Sequence, residues 1–454
     1  MGQPLPPPLR CPWVPGGVPL STLTEGRSRM MLAQLGNVSL TSPLAFAAFI
    51  AALTLCVLGA GHALFHERLR HRTLAAAMGA AACTAGAWAV LEVWWKPFPD
   101  AVAWQVYAAG GCVAFVVFAA LVQTGRRVLL AAAAALALAC ALGVSNVVYQ
   151  QFPTVRSLDP EPQAVRMPYS AVAEAEAAGR APRLGGEAVG ALVDVDLDAK
   201  VSGFVHRPAV AYLPPVYFTD PQRRLPVVVL MAGNPGAPGQ WFAAGGAEET
   251  LDAYQREHGG VSPIVVSVDA TGTFSGNPIC VDGPKDKVMT YLSVDVPAQL
   301  KQKFRVMEDT SRWTIGGLSY GGTCALQVVS NHPEVYGSFL DFSGQKEPTI
   351  GNRKDTVDRF FGGDEAAFRA VNPEDLLTAA AGTDKYRGIQ GRFIAGEDDH
   401  DAVAALRHLN ELARGAGIES SFATVPGGHN YRTWRVALRD TIDFIVHRDG
   451  LEKQ

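Results

Sequence analysis

Four long segments in the first third of the chain are apolar throughout and contain no Asp, Glu, Lys or Arg. They lie at residues 43–65, 74–91, 101–123 and 128–152. About 20 apolar residues in a helix suffice to cross the hydrocarbon core of a bilayer. A soluble helical bundle would instead carry a polar stripe along each helix, and these segments have none. The pattern therefore predicts four transmembrane helices within residues 43–150.

The basic residues between these segments predict their orientation. Loop one contains Arg68, Arg70 and Arg72, and loop three contains Arg126 and Arg127, whereas loop two (KPFPD) has one lysine and one aspartate. Cytoplasmic loops carry an excess of Lys and Arg. We therefore expect loops one and three in the cytoplasm, and everything after residue 150 outside a cell membrane that the chain crosses several times.

The residues before the first apolar segment, 1–42, are Pro-rich and are expected to be disordered. Arg27 and Arg29 would lie outside in this topology, which conflicts mildly with the positive-inside rule. Translation from Met30 or Met31 would remove the conflict. No cleavable signal peptide is evident, because the first apolar segment starts late and is long enough to span.

From about residue 190 the pattern changes to short apolar runs that alternate with charged helical stretches. Runs bounded by Pro or Gly indicate buried parallel strands, and they occur at residues 225–233, 263–270, 312–317, 338–344, 391–397 and 421–427. Two earlier strand patterns, at residues 190–199 and 209–215, fit an antiparallel edge. Alternating strands and helices predict a mostly parallel α/β sheet with helices on both faces. Residues 151–189 are interpreted as a linker, and residues 190–454 as the second domain.

Composition and charge exclude some functions. The net charge of −4 and the isoelectric point near 6.2 give no indication of a nucleic-acid partner. No H-E-x-x-H motif and no cysteine pair at metal-ligand spacing occurs, so neither a metal nor another cofactor is expected. Of the seven cysteines, Cys280 and Cys324 lie in the predicted outward domain, where the compartment permits a disulfide between them.

The candidate nucleophile is Ser319, in the sequence Gly317-Leu318-Ser319-Tyr320-Gly321. A strand pattern ends just before it and a helix pattern begins at about residue 323. A serine between two glycines on a strand-to-helix turn is the arrangement of a nucleophile elbow. A bare G-x-S-x-G is a weak signal, but the elements around this one favour a catalytic serine over an ordinary glycine-rich turn.

An acid and a histidine follow Ser319 along the chain, in the order that a catalytic serine of this type requires. Glu397, Asp398 and Asp399 lie in the loop after one predicted strand, and His429 lies in the loop after the last. Asp399 is the preferred partner of His429, although the other two acids remain alternatives, and all are also favourable at a helix N-terminus. The order Ser319, acid, His429 is that of an α/β hydrolase.

An acyl-transfer site also needs donors for a developing oxyanion. The Tyr320 N–H, next after the nucleophile, is the first candidate, and the Asn234 N–H, in the loop after strand 225–233, is the second. Pro235 has no N–H to donate. Trp241 and Trp434 are candidates to line a substrate pocket, and for Trp241 packing in the core is the open alternative.

Residues from about 190 to 450 resemble the esterase branch of the α/β hydrolases, which includes feruloyl and enterochelin esterases, S-formylglutathione hydrolases and mycolyltransferase antigens. The resemblance rests on YLPP, LPVVVLMAG, GGLSYGGTCAL, Ser343-Gly344 and GGHNYRTWRVAL, in which Trp434 follows His429 by five places. NPICVDG and TYLSVDVP behind four apolar helices are similar to membrane-anchored actinobacterial members. One departure is Ala232-Gly233, where the family usually has histidine and glycine.

The combined prediction is an α/β-hydrolase fold behind a four-helix transmembrane region, acting as an outward-facing carboxylic ester hydrolase. Its triad would be Ser319, Asp399 and His429, and its substrate an ester, for example an acylated lipid or glycolipid. The resemblance to mycolyltransferases implies an alternative, an acyltransferase that moves an acyl chain onto an envelope sugar or lipid. A further alternative is a non-catalytic binding protein that retains the fold.

Overall fold

The computed structural model describes residues 35–66, 70–123, 125–159 and 164–451. Most of the predicted Pro-rich N-terminus lies outside the described residues, including Arg27, Arg29, Met30 and Met31. Arg68 of loop one lies outside them as well.

The four predicted apolar segments are helices. They are α1 Pro43–His66, α2 Arg70–Trp88, α3 Trp104–Val122 and α4 Arg127–Tyr149, and a π-helical turn over Ala89–Trp94 extends α2. Each is long and apolar enough to cross a membrane. Small side chains such as Ala60 and Ala137 are buried between the helices, whereas large ones such as Leu55 and Leu129 are exposed on the outside. This distribution suits helices that face lipid rather than water.

Loop two, residues 95–103, lies at the same end of the helical bundle as the chain that leaves α4. The segment before α1 is also there, because the Leu40 N–H donates to the Pro153 carbonyl at 2.9 Å. At the opposite end, the Arg72 side chain donates to the Val122 carbonyl at 3.0 Å. Loop two is therefore on the side of the bundle that carries the C-terminal domain.

The C-terminal domain is built on one nine-stranded sheet with the strand order β1-β4-β5-β7-β6-β8-β9-β10-β11. A separate hairpin holds β2 and β3. The strands are β1 Val165–Pro168, β2 Arg183–Leu184, β3 Glu187–Ala188, β4 Ala191–Val195, β5 Ala209–Leu213, β6 Val227–Met231, β7 Ile264–Val268, β8 Thr314–Leu318, β9 Ser338–Phe342, β10 Gln390–Gly396 and β11 Glu419–Val425. All pairs in the nine-stranded sheet are parallel except β4 with β5 and β5 with β7.

Helices cover both faces of this sheet. They are α5 Val172–Ala177, α6 Pro215–Thr219, α7 Gln240–Ala243, α8 Ala247–Glu257, α9 Val288–Thr290, α10 Val296–Lys303, α11 Tyr320–Asn331, α12 Arg353–Phe361, α13 Glu365–Arg369, α14 Pro373–Ala379, α15 His400–Gly415 and α16 Tyr431–Asp449. Helices α11, α14 and α15 form one layer, and α8 and α16 form the other. Strands β6 to β9 are consequently buried on both faces, as their continuous apolar sequences predict.

The predicted α/β-hydrolase fold is confirmed, with its antiparallel strands β4 and β5 at one side of a parallel sheet. One strand of the sheet lies before residue 190. Strand β1, within the segment interpreted as a linker, joins the sheet by pairing with β4. Its side chains alternate between half-buried and exposed, so that no apolar run marks it in the sequence. The sheet therefore includes residues 165–168, within the segment interpreted as a linker.

Candidate active site

Ser319 lies on the sharp turn between β8 and α11. Its backbone has φ 54° and ψ −122°, in a region that L-residues rarely adopt. The Ser319 N–H donates to the Phe342 carbonyl of the neighbouring strand at 2.7 Å, and the Ser319 carbonyl accepts from Gly322 at 2.9 Å. These bonds hold the strained turn in place, with the serine beyond the carboxyl end of the strand.

The glycines around Ser319 are required by close backbone contacts. A Cβ on Gly317 would lie 2.3 Å from the Gly321 carbonyl carbon, and a Cβ on Gly321 would lie 2.4 Å from the Met231 carbonyl oxygen. Both distances are far below van der Waals contact. The first and last residues of the G-x-S-x-G motif therefore allow strand, turn and helix to pack closely behind the serine.

His429 and Asp399 lie in the loops that follow the adjacent strands β11 and β10. The His429 Nδ1 atom is 2.7 Å from Asp399 Oδ2. Because an ionised carboxylate only accepts hydrogen bonds, this contact places the proton on Nδ1 and leaves Nε2 available as a base. Asp399 also caps α15 by accepting from the Ala402 N–H at 3.4 Å. Of the three candidate acids, Asp399 is the one that makes this bond to the imidazole.

The surroundings of His429 favour its charged form. Burial on its own would lower the pKa of His429, but the hydrogen bond to Asp399 and the negative charges of Asp100 and Asp399 outweigh burial and raise that pKa. The buried Trp434 ring packs edge-on against the imidazole, with ring centroids 5.2 Å apart. Trp434 thus contacts the histidine directly and helps to fix the orientation of its ring.

The candidate oxyanion donors come from two loops that meet at Ser319. Tyr320 is the first residue of α11, where N–H groups have no acceptor within the helix. Asn234 follows β6, next to Gly233, where a Cβ would lie 3.4 Å from the Ser319 Cβ. Because the positive end of a helix dipole also favours an anion there, the arrangement can hold negative charge beside the serine.

A disulfide and a tyrosine hydroxyl fasten the start of α11. Cys280 and Cys324 are bonded to each other. The Tyr320 hydroxyl donates to the Ala270 carbonyl at 2.9 Å and accepts from the Cys280 N–H at 3.1 Å. The long loop after β7 is therefore tied to the helix that follows Ser319.

An ion pair holds the loop after β6. Arg207 donates two hydrogen bonds to the buried carboxylate of Asp269, at 2.7 and 2.9 Å, and a third to the Gly236 carbonyl at 2.8 Å. Although burial works to raise the pKa of Asp269, its hydrogen bonds and the charge of Arg207 lower it, so the pair is ionised. The backbone around Asn234 is thus connected to the sheet through a charged side chain.

Trp241 lies in the core and not at the site surface. Its side chain is completely buried, its indole N–H donates to the Met231 carbonyl at 2.9 Å, and its ring packs against Phe342. In this structure Trp241 therefore supports the strand before the Asn234 loop and offers no surface to a ligand. A buried tryptophan and a pocket tryptophan have the same sequence signature.

Two residues that the sequence did not single out complete the site. The Gln345 side chain lies 3.5 Å from the Ser319 hydroxyl and donates to Asp100 at 2.7 Å. Asp100, in loop two, lies 3.6 Å from His429 Nε2. Among the described residues, no direct hydrogen bond joins Ser319 and His429, a bond that often tightens only when substrate is present. Asp100 is 299 residues from Asp399 along the chain, so no local pattern could have indicated it.

No group of three or more His, Cys, Asp or Glu side chains within the described ranges is placed to hold a metal ion.

Comparisons with known proteins identify the family to which this chain is similar. The family model described as "Putative esterase" matches residues 206–445. An uncharacterised protein of Corynebacterium glutamicum is 54% identical over 393 residues, 85% of this chain and 92% of that protein. The iron(III) salmochelin esterase of Escherichia coli is 26% identical over 238 residues, 52% of this chain and 53% of that protein. The solved structure of a ferulic acid esterase, 20% identical, covers 57% of this chain and 98% of its own, with a TM-score of 0.49.

Proposed function

The chain belongs to the esterase family, and on that premise we propose that it is a membrane-anchored serine hydrolase that cleaves carboxylic esters through an acyl-enzyme. Ser319 is the nucleophile, His429 the general base and acid, and Asp399 the residue that orients His429. The observation that carries the proposal is the 2.7 Å bond between His429 and Asp399, at the sheet edge where Ser319 occupies a strained elbow.

In the first half of the reaction, the Ser319 oxygen attacks the ester carbonyl carbon while its proton passes to His429 Nε2. The bond between that carbon and the alcohol oxygen then breaks, and the alcohol leaves with the proton from His429. The N–H groups of Tyr320 and Asn234 stabilise the oxyanion of each tetrahedral intermediate.

In the second half, a water molecule attacks the acyl-enzyme and gives its proton to His429. The bond between the carbonyl carbon and the Ser319 oxygen breaks, the proton returns to Ser319, and the carboxylic acid is released. Asp399 stabilises the imidazolium that forms in both halves.

We also propose that the catalytic domain faces outward from the cell membrane. The arginines of loops one and three favour a cytoplasmic position for those loops. Loop two and the catalytic domain share the other end of the bundle. The disulfide between Cys280 and Cys324 is also more compatible with an oxidising compartment than with the cytosol.

Acyl transfer to an alcohol is a second candidate, favoured by the cover over the nucleophile. Ser319 is only 4% exposed, and Gln345, which donates a hydrogen bond to Asp100, lies 3.5 Å from its hydroxyl. If an alcohol excludes water from this space, it can resolve the acyl-enzyme, and the product is then a new ester on an envelope sugar or lipid. Product analysis with and without added alcohols distinguishes the two outcomes.

Labelling with a fluorophosphonate probe tests the proposed nucleophile. We expect the full-length protein in detergent to be labelled at Ser319, identified by mass spectrometry of the modified peptide, and the Ser319→Ala variant to remain unlabelled. A folded wild-type protein that ignores the probe would instead favour the non-catalytic binding protein.

A further inference from the structure

Loop two of the membrane region makes three separate contacts with the catalytic domain. Lys96 forms an ion pair with Asp355 of α12 at 2.6 Å. The side-chain amide of Asn234 donates to the Pro97 carbonyl at 3.1 Å. Asp100 accepts from Gln345. Because these contacts reach both the oxyanion loop and the surroundings of Ser319, loop two is a wall of the active site.

Asp100 is the residue of this wall that lies nearest to the reacting groups. Its Oδ2 atom is 2.7 Å from Gln345 Nε2 and 3.6 Å from His429 Nε2. Gln345 in turn lies 3.5 Å from the Ser319 hydroxyl. A carboxylate oxygen therefore lies beside the nitrogen that delivers the proton and is connected to the nucleophile through Gln345.

The position of His429 Nε2 defines which half of an ester lies near Asp100. Nε2 must give its proton to the leaving oxygen, so the alcohol oxygen comes within hydrogen-bonding distance of Nε2. Since Asp100 is 3.6 Å from the same nitrogen, a hydroxyl group on the carbon next to the one that carries the leaving oxygen comes within its reach. A carboxylate accepts hydrogen bonds only, and thus fits a second hydroxyl group and repels an anionic one.

We propose that Asp100 is a specificity-determining residue for the alcohol half of the ester, and that it accepts a hydrogen bond from a second hydroxyl group of a polyhydroxylated alcohol. This inference rests on the proposed function. It gives the membrane region a part in substrate recognition as well as in anchoring.

The exposed fractions of two side chains argue against the alternative that loop two only blocks the active site. The side chains of Asp100 and His429 are 47% and 31% exposed, so solvent reaches both. Their separation of 3.6 Å is also longer than a direct hydrogen bond, so Asp100 does not occupy Nε2. The loop therefore borders the site without closing off His429.

The test compares two esters with the same acyl group, glycerol monobutyrate and n-propyl butyrate, on the full-length protein in detergent. Only the first has hydroxyl groups beyond the leaving oxygen. We expect the wild type to have the higher kcat/KM on glycerol monobutyrate. In Asp100→Ala that value should fall about ten- to a hundredfold, as for a lost hydrogen bond to a charged group. Hydrolysis of n-propyl butyrate is the reference, because the charge of Asp100 also raises the pKa of His429, and we expect it to fall less than hydrolysis of glycerol monobutyrate.

Further variants separate this effect from damage to the fold. Asp100→Asn keeps the shape and one acceptor oxygen, so we expect a smaller loss that is again greater on glycerol monobutyrate than on n-propyl butyrate. Asp358→Asn removes an exposed carboxylate one turn beyond Asp355 on α12 and should behave as wild type. Equal kcat/KM values of the wild type on both esters would overturn the inference, and so would equal changes of the two values in Asp100→Ala. A rise of both values in Asp100→Ala would show instead that loop two blocks the site.

A third substrate, p-nitrophenyl butyrate, distinguishes failure of this inference from failure of the proposed function. Its leaving group has no second hydroxyl, so its hydrolysis reports only the Ser319 chemistry. If Ser319-dependent hydrolysis occurs while the selective loss in Asp100→Ala does not, the inference alone is wrong. If no Ser319-dependent hydrolysis occurs, the proposed function is wrong and the inference falls with it.

Discussion

The stability of the wild type is expected to fall as pH rises, and replacement of Asp341 by asparagine should remove this fall. Asp341 lies in β9 beneath the start of α11 and is completely buried. One carboxyl oxygen accepts from the Gly344 N–H at 2.9 Å, and the other has no partner among the described groups. Burial raises the pKa of Asp341 from 3.8 to about 8, although the bond from Gly344 works against this.

The magnitude follows from the difference in proton binding between the folded and unfolded states. Between pH 4 and 8 the folded protein keeps a proton on Asp341 that the unfolded chain releases, so stability falls as pH rises and levels off above pH 8. A difference of about four pKa units corresponds to about 6 kcal/mol of unfolding free energy. Asparagine does not titrate, but its amide has two N–H donors without an acceptor here, one more donor than the protonated carboxyl has, which costs about 1–3 kcal/mol at every pH.

Asp341→Asn should therefore be less stable than wild type near pH 4 and about 3–5 kcal/mol more stable at pH 8. For a domain of this size, that gain corresponds to a Tm roughly 5–15 °C higher. The assay is thermal unfolding of the full-length protein in detergent from pH 4 to 9, followed by tryptophan fluorescence. Asp194→Asn, which changes a strand carboxylate that is 65% exposed, is the control. Parallel Tm profiles for wild type and Asp341→Asn would refute the reasoning.

Three further predictions concern the site itself. Asp399→Asn should lower kcat about ten-thousandfold through loss of the imidazole tautomer, whereas Asp398→Asn should retain most activity; a comparable loss in both would leave the acid unassigned. The charges of Asp399 and Asp100 face His429. Asp100→Asn removes one of these charges and so lowers the pKa of His429, which should move the acidic limb of the kcat/KM profile to lower pH. An unmoved limb would contradict the closeness of Asp100 to His429. Cys280→Ser removes the disulfide that closes a loop of 44 residues and should lower the unfolding free energy by about 4 kcal/mol. The measurement is denaturant unfolding of the oxidised protein. Equal stability of wild type and variant would show that the disulfide does not form.

The central elements of the domain could be predicted from the sequence because each is a continuous apolar run or an amphipathic helix. Strands β6 to β10 lie within two residues of their predicted bounds. The linear order of Ser319, Asp399 and His429 predicted that they would meet, since the loops after parallel strands share one edge of a sheet. Strand β1 could not be found, because four residues with alternating exposure carry no apolar signal.

Other features depend on tertiary contacts that a sequence pattern does not contain. Trp241 is buried and Trp434 contacts His429, yet both are tryptophans near glycine-rich loops. Asp100 is beside His429 only because loop two folds back onto the catalytic domain. The charge pattern did predict that loop two and this domain lie on one side of the membrane, which is the condition for such a contact.

Hydrolysis of p-nitrophenyl butyrate by the full-length protein and by its Ser319→Ala variant tests the central claim most directly. Both proteins would be purified in the same detergent, and their thermal stabilities would be compared first. We expect these to match, because Ser319 is buried and the smaller alanine side chain leaves the elbow intact. The account predicts turnover by the wild type and none above background by the variant. Equal turnover by the two proteins would contradict it, since the ester would then be cleaved without the elbow serine.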